Sequence, residues 1–194
     1  ANGVDRCTTN YQRTKFNAER YLKNSKLSWT IFRPSIIFGD PREKMEFCSQ
    51  IKKDMLDIPI PAPLFFKGFN ILDAGAFKMS PIHVKNVAQF FVKSINKEDS
   101  NSQIYEIGGS RCFSWREIIK IISLASNKKK YLMPVPAILI RFLSFLFQRW
   151  SWFPITVEQL SMLISGNICD SNRYFNDFGI DEIEFDIKSL HYLS

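Results

Sequence analysis

The 194-residue chain has few cysteines and histidines, the residues that form disulfide frameworks and many metal sites. Its four cysteines are far apart, show no Cys-x-x-Cys spacing and are accompanied by only two histidines. This pattern predicts reduced thiols, without a metal site or a set of disulfides. The first residues lack the charged and apolar regions of a secretory signal peptide, so we expect a cytoplasmic protein.

Glycine is also scarce where a nucleotide-binding turn would need it. The eight glycines lie at positions 3, 39, 68, 75, 108, 109, 166 and 179, and none are spaced as G-x-G-x-x-G. Such a turn lets backbone N–H groups at a helix N-terminus hold a dinucleotide pyrophosphate. The sequence therefore offers no recognisable pyrophosphate-binding turn.

The formal net charge of +7 raises the question of nucleic-acid binding. The only dense basic run is 128–130, at the end of a predicted helix. Lysines at a helix C-terminus complement the helix dipole, which explains this run without a ligand. Because no recognition-helix or ribonucleoprotein motif is present, we expect no nucleic-acid partner.

The most informative positive feature is Tyr11 followed by Lys15. In a helix, positions four residues apart share a face, so the two side chains are expected to lie together. A free phenol titrates near pH ~10. A fixed positive neighbour favours the ionised phenol, so the pair is a candidate general acid/base.

The residues after this pair give it a context. Residues 29–32 predict a buried strand bounded by Arg33-Pro34, and the apolar run 35–38 is stopped by the turn residues 39–41. In this order, a Tyr-x-x-x-Lys helix, a strand and Arg-Pro-Ser-Ile-Ile-Phe-Gly, the chain resembles the short-chain dehydrogenase/reductase superfamily. The likeness is to its NAD-dependent epimerase/dehydratase members and to relatives of the complex I accessory subunit.

The resemblance implies a role for each matching residue. Tyr11 would be the catalytic acid/base, and Lys15 would also hold the nicotinamide ribose. Pro34, Ser35 and Ile36 would pass beside the nicotinamide, so the same five residues are the predicted cofactor contacts. The implied cofactor is NAD or NADP, and the sequence does not show which, because the residues that read the ribose follow the second strand.

The implied fold is α/β: the second half of an incomplete, doubly wound parallel Rossmann-like sheet, with a small, mainly helical C-terminal substrate subdomain. We predict the first domain at 1–110, with an interleaved substrate-loop segment at about 41–80, and the helical subdomain at 111–194. We expect the chain to be part of a longer protein, with the Gly-rich turn and the family's catalytic serine upstream. Alone, it should bind nucleotide weakly or not at all and be inactive.

Several single residues and elements carry weaker predictions. Arg33 would either contact a phosphate or form an ion pair, and His83 would have a structural role more readily than a catalytic one. Asn86 is predicted to cap a helix over 87–96, after a strand at 78–83. A further helix is predicted over 43–57.

Short polar patterns predict further helix starts. Ser114 with Glu117, and Thr156 with Gln159, match the capping box and predict helices over 115–126 and up to 165. Thr8 and Thr9 are predicted to be loop or helix N-cap residues.

Residues 137–153 form an apolar segment that is too short, and too interrupted by Arg141 and Arg149, for a bilayer span of ~20 residues. They predict either a packed helix or a peripheral contact with a membrane or a respiratory complex. Two functions follow. One is an NAD(P)-dependent oxidoreductase or epimerase with a small-molecule substrate. The alternative is a non-catalytic NAD(P)H-binding accessory protein of a respiratory complex, held at the inner face of a membrane.

Overall fold

The structure is a computed structural model that describes residues 3–6, 8–42, 44–68, 70–147 and 156–194, with the backbone alone at Arg6 and Phe147. The helices are α1 Asn10–Lys23, α2 Phe47–Ile51, α3 Val84–Ile95, α4 Trp115–Ala125, α5 Ala137–Phe147, α6 Val157–Ile164 and α7 Asn172–Asp177. The strands are β1 Thr30–Pro34, β2 Ile37–Phe38, β3 Ala62–Phe66, β4 Lys78–Met79, β5 Ile82–His83, β6 Gln103–Ile107, β7 Phe113–Ser114 and β8 Leu132–Pro136. A π-helical turn, Lys52–Leu56, directly follows α2.

The strands pair mostly in parallel. Strand β1 pairs with β6, β2 with β5 and β3 with β8 in parallel, whereas β4 and β7 are antiparallel. Parallel partners need a crossover between them, and here helices and loops supply it. The predicted α/β class with parallel pairing is therefore confirmed.

The first of two compact units consists of residues 1–39, 80–112 and 167–185. Its core joins the buried faces of β1, β5, β6 and α3 to the C-terminal helix α7. The buried members are Phe32, Ile82, Val87, Phe90, Ile107, Phe175, Phe178 and Ile180. Phe90 is fully buried, and its ring meets Phe175 and Phe178 edge-on at 5.3 Å between centroids. Edge-to-face contact of this kind suits the charge distribution of aromatic rings.

The second unit consists of residues 40–79, 113–166 and 186–194. Trp115, the first residue of α4, lies at its centre and donates its indole N–H to the carbonyl of Pro63 at 3.0 Å. The ring stacks near Phe65 and Phe77. Helix α4 begins with the predicted capping box, in which Ser114 and Glu117 bond each other's backbone N–H groups. This cap fixes the start of α4 and so the position of Trp115.

Three predicted elements differ from the structure. The strand expected over 78–83 divides into β4 and β5, because the backbone of Ser80 leaves both ladders: its N–H donates to Asn167 and its carbonyl accepts from Gly109. Helix α3 begins at Val84 with His83 as its N-cap, not at 87 with Asn86. The helix expected over 43–57 is shorter, since α2 begins at Phe47 and continues as the π-helical turn.

The predicted domain boundary between residues 110 and 111, with the segment 41–80 interleaved, stays a prediction. By contacts between described residues, 40–79 group with 113–166, and 167–185 group with the N-terminal part of the chain. The contact segment predicted at 137–153 contains α5, but residues 148–153 lie outside the described residues. In the part of the chain that the structure describes, no helix is both long enough and apolar enough to cross a membrane.

Candidate functional site

Helix α1 carries the Tyr-x-x-x-Lys pair at its N-terminal end. Thr9 caps the helix, which is one of the two roles predicted for it, and its hydroxyl accepts the backbone N–H of Gln12 at 3.2 Å. Tyr11 follows in the first turn and Lys15 one turn later, with the Lys15 Nζ 5.6 Å from the centre of the Tyr11 ring. The shared face is confirmed, and 48% of Tyr11 remains exposed. The phenol of Tyr11 and the ammonium of Lys15 therefore lie together at the protein surface.

Arg33 ties this helix to the sheet. Its guanidinium donates to both oxygens of Asp5 at 2.7 and 2.8 Å, to Glu19 on α1 at 2.7 Å and to Glu106 on β6 at 3.2 Å. The Arg33 side chain is only 5% exposed. Hydrogen bonding to Glu19, despite the opposing effect of burial, holds the pKa of Arg33 above its usual value. Of the two roles predicted for Arg33, the structure shows the ion pair.

This arrangement has a consequence for the pair on α1. Glu19 is one helical turn beyond Lys15, and Arg33 lies in β1 just before Pro34. The bidentate geometry of an arginine with carboxylates fixes orientation as well as distance. Arg33 therefore sets the helix that bears Tyr11 against the strand that leads into Pro34. The partners of Arg33 could not be identified from the sequence, because they lie 14, 28 and 73 residues away.

Pro34 is the last residue of β1, and Ser35 and Ile36 follow it where the chain crosses to β2. The Ser35 N–H donates to Ile107 at 2.8 Å, and the Ser35 hydroxyl donates to the carbonyl of Asn167 at 2.9 Å. The carbonyl of Ile36 accepts from the N–H of Ile82 at 2.8 Å. The Ser35 side chain is thus bound within the protein. The side chains of Pro34 and Ile36, and the backbone of this segment at the strand end, are the groups that can contact a ligand.

His83 and Asn86 have structural positions near the start of α3. The His83 Nδ1 accepts the N–H of Lys85 at 3.1 Å, and its ring packs edge-on against Phe38. Burial, with a smaller effect of Lys85, lowers the pKa of His83 from its ordinary value. Asn86 is fully buried; its amide N–H donates to the carbonyl of Asp181 at 2.8 Å. The prediction that Asn86 caps the helix is wrong, because the strand-end His83 supplies that cap one turn earlier.

Cysteines and cavities add little to this site. Cys48 and Cys169 are buried free thiols and Cys112 is an exposed one. Burial raises the pKa of Cys48 well above its ordinary value. Among the described residues, no three His, Cys, Asp or Glu side chains lie close enough to hold a metal ion. A cavity of about 560 Å³ lies at the other end of α1, beside Asn17, Arg20 and Tyr21.

Several known proteins are similar to this chain in sequence. The family model described as male sterility protein, an NAD-binding family, matches residues 2–54, which include α1, β1 and Pro34–Ile36. The mitochondrial NADH-ubiquinone oxidoreductase 40 kDa subunit of Neurospora crassa is 21% identical over 93% of this chain and 44% of that protein. The UDP-glucose 4-epimerase of Vibrio cholerae is 25% identical over 65% of this chain and 37% of that protein.

A solved structure extends the match to the fold. The UDP-glucuronic acid 4-epimerase of Bacillus cereus, in complex with UDP-glucuronic acid and NAD, superposes with a TM-score of 0.62 over 94% of this chain and 51% of that one, at 15% identity. In sequence and in fold the chain is similar to NAD-dependent epimerases and dehydratases. The predicted Rossmann-like α/β class of this epimerase/dehydratase-like chain is thereby confirmed.

The similar proteins also limit which of their properties can be assigned to this chain. It spans about half, or less, of the length of the proteins that it matches. The family binds NAD, and no preference between NAD and NADP is shown. The individual roles predicted for Tyr11, Lys15, Pro34, Ser35 and Ile36 stay predictions. Geometry supports the first two as a unit and gives Ser35 a structural role in addition.

Proposed function

We propose that this chain carries the nicotinamide-side half of an NAD(P)-dependent oxidoreductase or epimerase site. The observation that supports the proposal best is the contact of Lys15 with Tyr11 on the exposed face of α1, at 5.6 Å from ammonium to ring centre. The Arg33 ion pairs position that helix against β1, directly before Pro34. An acid/base group and a cation are therefore held at a fixed place beside a strand end, where α/β proteins bind nucleotides.

The residues present fit a nicotinamide nucleotide in their chemistry. The Tyr11 side chain is 48% exposed, and from the described residues its hydroxyl receives no hydrogen bond, so it remains available to a ligand. The Lys15 ammonium offers three donors, suited to ribose hydroxyls. The bound nicotinamide would accept or supply hydride. Tyr11 would take a proton from a substrate hydroxyl or give one to a carbonyl, and Lys15 would hold the ribose and favour the ionised phenol.

The substrate class is a second part of the proposal. Two of the similar proteins are named as epimerases of UDP-glucose and UDP-glucuronic acid. We therefore take UDP-sugars as the first substrates to test, each with a secondary hydroxyl that the ionised phenol of Tyr11 could deprotonate. A panel of UDP-glucose and UDP-glucuronic acid, with either dinucleotide, tests the substrate without assuming NAD or NADP.

Cofactor binding in the full-length gene product tests the role of Lys15. Calorimetric titration with NADH and NADPH should give an affinity that falls about tenfold in Lys15→Met, because a charged hydrogen bond is lost. Lys23→Met, which removes an ammonium at the other end of α1, is the matched control and should bind like the parent. Equal affinities for parent and Lys15→Met would contradict the proposal. The 194-residue chain alone is expected to bind far more weakly.

The alternative function is a non-catalytic NAD(P)H-binding accessory protein of a respiratory complex. It is favoured by the extent of the match to the Neurospora crassa subunit, 93% of this chain against 65% for the epimerase. In this case the contact through 137–153 would face the complex or the inner surface of its membrane. Co-purification of the full-length product with respiratory-complex subunits, unchanged in Tyr11→Phe and with no turnover of any substrate, would favour it.

A further inference from the structure

Helix α5 exposes most of its large apolar side chains, which a helix packed in a protein core would bury. Five of its apolar residues have exposed fractions between 49% and 77%: Ile138, Leu139, Phe142, Phe145 and Leu146. At 3.6 residues per turn these positions fall within about 120° of the helix circumference. On the opposite side Ala137 and Ser144 are buried and Ile140 and Leu143 are half-buried. We call the five exposed residues the α5 stripe.

A cavity of about 570 Å³ opens beside this stripe within the second unit. Its walls include Ile138, Phe142 and Phe145 from α5 and Leu160 from α6. The cations among its lining residues are Lys67 and Arg141, and in the described residues no carboxylate lines it. An apolar cleft with ammonium and guanidinium groups at its wall has the chemistry to take a molecule with apolar chains and an anionic head.

The sequence around α5 has an uneven charge distribution. Residues 118–157 contain no Asp or Glu, although about four would be expected from the chain's 19 acidic residues in 194. The same residues contain six cations: Lys120, Lys128, Lys129, Lys130, Arg141 and Arg149. Lys128 pairs with Asp57 and Lys130 binds carbonyls at residues 56 and 58, whereas Arg141 has no ion pair with a described residue. The sequence around the α5 stripe is therefore basic, and the cations that line the cleft beside it are Lys67 and Arg141.

We propose that the α5 stripe binds an anionic lipid surface, with its apolar side chains at the acyl boundary and with Lys67 and Arg141 at the phosphates. An interfacial helix combines an exposed apolar face with flanking cations, as α5 does. An acidic leaflet attracts lysine and arginine side chains near its surface. A second copy of this chain is a poorer occupant, because it would bring the same positive charge into the contact.

This proposal goes beyond the nicotinamide site and does not depend on it. None of the stripe residues belongs to α1 or β1, so lipid binding can fail while nucleotide binding stands, and the reverse. It also differs from a transmembrane anchor, since α5 has 11 residues. A helix of that length lies in the interface and does not cross it.

Vesicle sedimentation with the purified full-length gene product tests the proposal. The vesicles are phosphatidylcholine alone, and phosphatidylcholine with about a third replaced by phosphatidylglycerol. We expect binding to the anionic vesicles that weakens as salt is added, and little binding to the neutral ones. Absence of binding to both, or equal binding to both, would overturn the proposal.

Variants assign the binding to the stripe. Phe142→Ser combined with Phe145→Ser should lower the partition coefficient at least about tenfold. Arg141→Gln should lower it about fivefold on anionic vesicles, from the loss of one surface cation. The control is Val92→Ser with Ile95→Ser, which changes two exposed apolar residues of α3 and should bind like the parent.

Two measurements keep these variants informative. Circular dichroism melting should give the same transition for parent and stripe variants, because the changed side chains are exposed. Sedimentation velocity without lipid should give the same mass for both. A dimer in the parent that the two Phe→Ser changes abolish would overturn the proposal in favour of a second copy. Unchanged vesicle binding by the folded double variant would also overturn it.

Discussion

Removing the Arg33 guanidinium should destabilise the first unit more than any other loss of a single ion pair. Arg33→Met keeps the length of the side chain and removes its three carboxylate contacts. Asp5 and Glu106 are 60% and 45% exposed, so water can replace what they lose, and exposed pairs contribute about 0–1 kcal/mol each. Glu19 is only 11% exposed and would be left as a buried, unpaired carboxylate.

The expected cost follows from that asymmetry. Breaking a buried pair by removing one partner costs about 3–5 kcal/mol. Because two of the three carboxylates remain exposed to water, we expect Arg33→Met to lower the free energy of unfolding by about 3 kcal/mol, the lower end of that range. Adding Glu19→Met removes the unpaired carboxylate. The double variant should therefore lose about 2 kcal/mol less free energy of unfolding than the sum of the losses in the two single variants.

Equilibrium unfolding in urea, followed by far-UV circular dichroism, measures these differences. Arg173→Met is the matched control, since it breaks an exposed pair with Asp177 one turn away on α7 and should cost less than about 0.5 kcal/mol. The reasoning would be refuted if Arg33→Met unfolded at the urea midpoint of the parent. Strict additivity of Arg33→Met and Glu19→Met would also refute it, because the two side chains would then not interact.

Three further predictions concern single buried or capping groups. Asn86→Asp should destabilise by about 2–4 kcal/mol in urea, because a buried amide donor becomes a charge; the exposed Asn96→Asp should not, and equal effects would contradict this. Because burial lowers the pKa of His83, the free energy of unfolding should fall as the pH drops below 6.5, and His83→Asn, which keeps the cap, should flatten that slope; an unchanged slope would count against it. At neutral pH, Cys112→Ser should remove one fast-reacting thiol and Cys48→Ser none, and the reverse order would be a contradiction.

Features that depend on three or four neighbouring residues were predictable from the sequence. The capping boxes at Ser114 and Thr156, the N-cap at Thr9 and the shared face of Tyr11 and Lys15 all lie where the sequence predicted them. In each, the interacting groups are within one helical turn. Local spacing decides such contacts, so no knowledge of the tertiary fold was needed.

Features that depend on distant residues were not predictable in the same way. Asn86 is a residue type that often caps helices, but its amide bonds to the backbone of residues 181 and 183. The need to pair these buried backbone groups outweighed the local preference for a cap. The strand predicted over 78–83 divides because the backbone of Ser80 bonds to residues 109 and 167. The three carboxylates around Arg33 converge only once β1 and β6 have paired. These contacts decide where the Tyr11 helix lies, although the sequence pattern identified the helix itself.

The most direct test of the nicotinamide-side site is the first hydride transfer in the full-length gene product. With bound NAD and an excess of UDP-sugar, formation of reduced nicotinamide is followed by its absorbance in a single turnover. We expect Tyr11→Phe to slow this step about a hundredfold or more, while the dinucleotide affinity changes by only about a few fold. Tyr21→Phe, on the same helix, should leave it unchanged. Equal rates for the parent and Tyr11→Phe would contradict the assignment of Tyr11 as the acid/base.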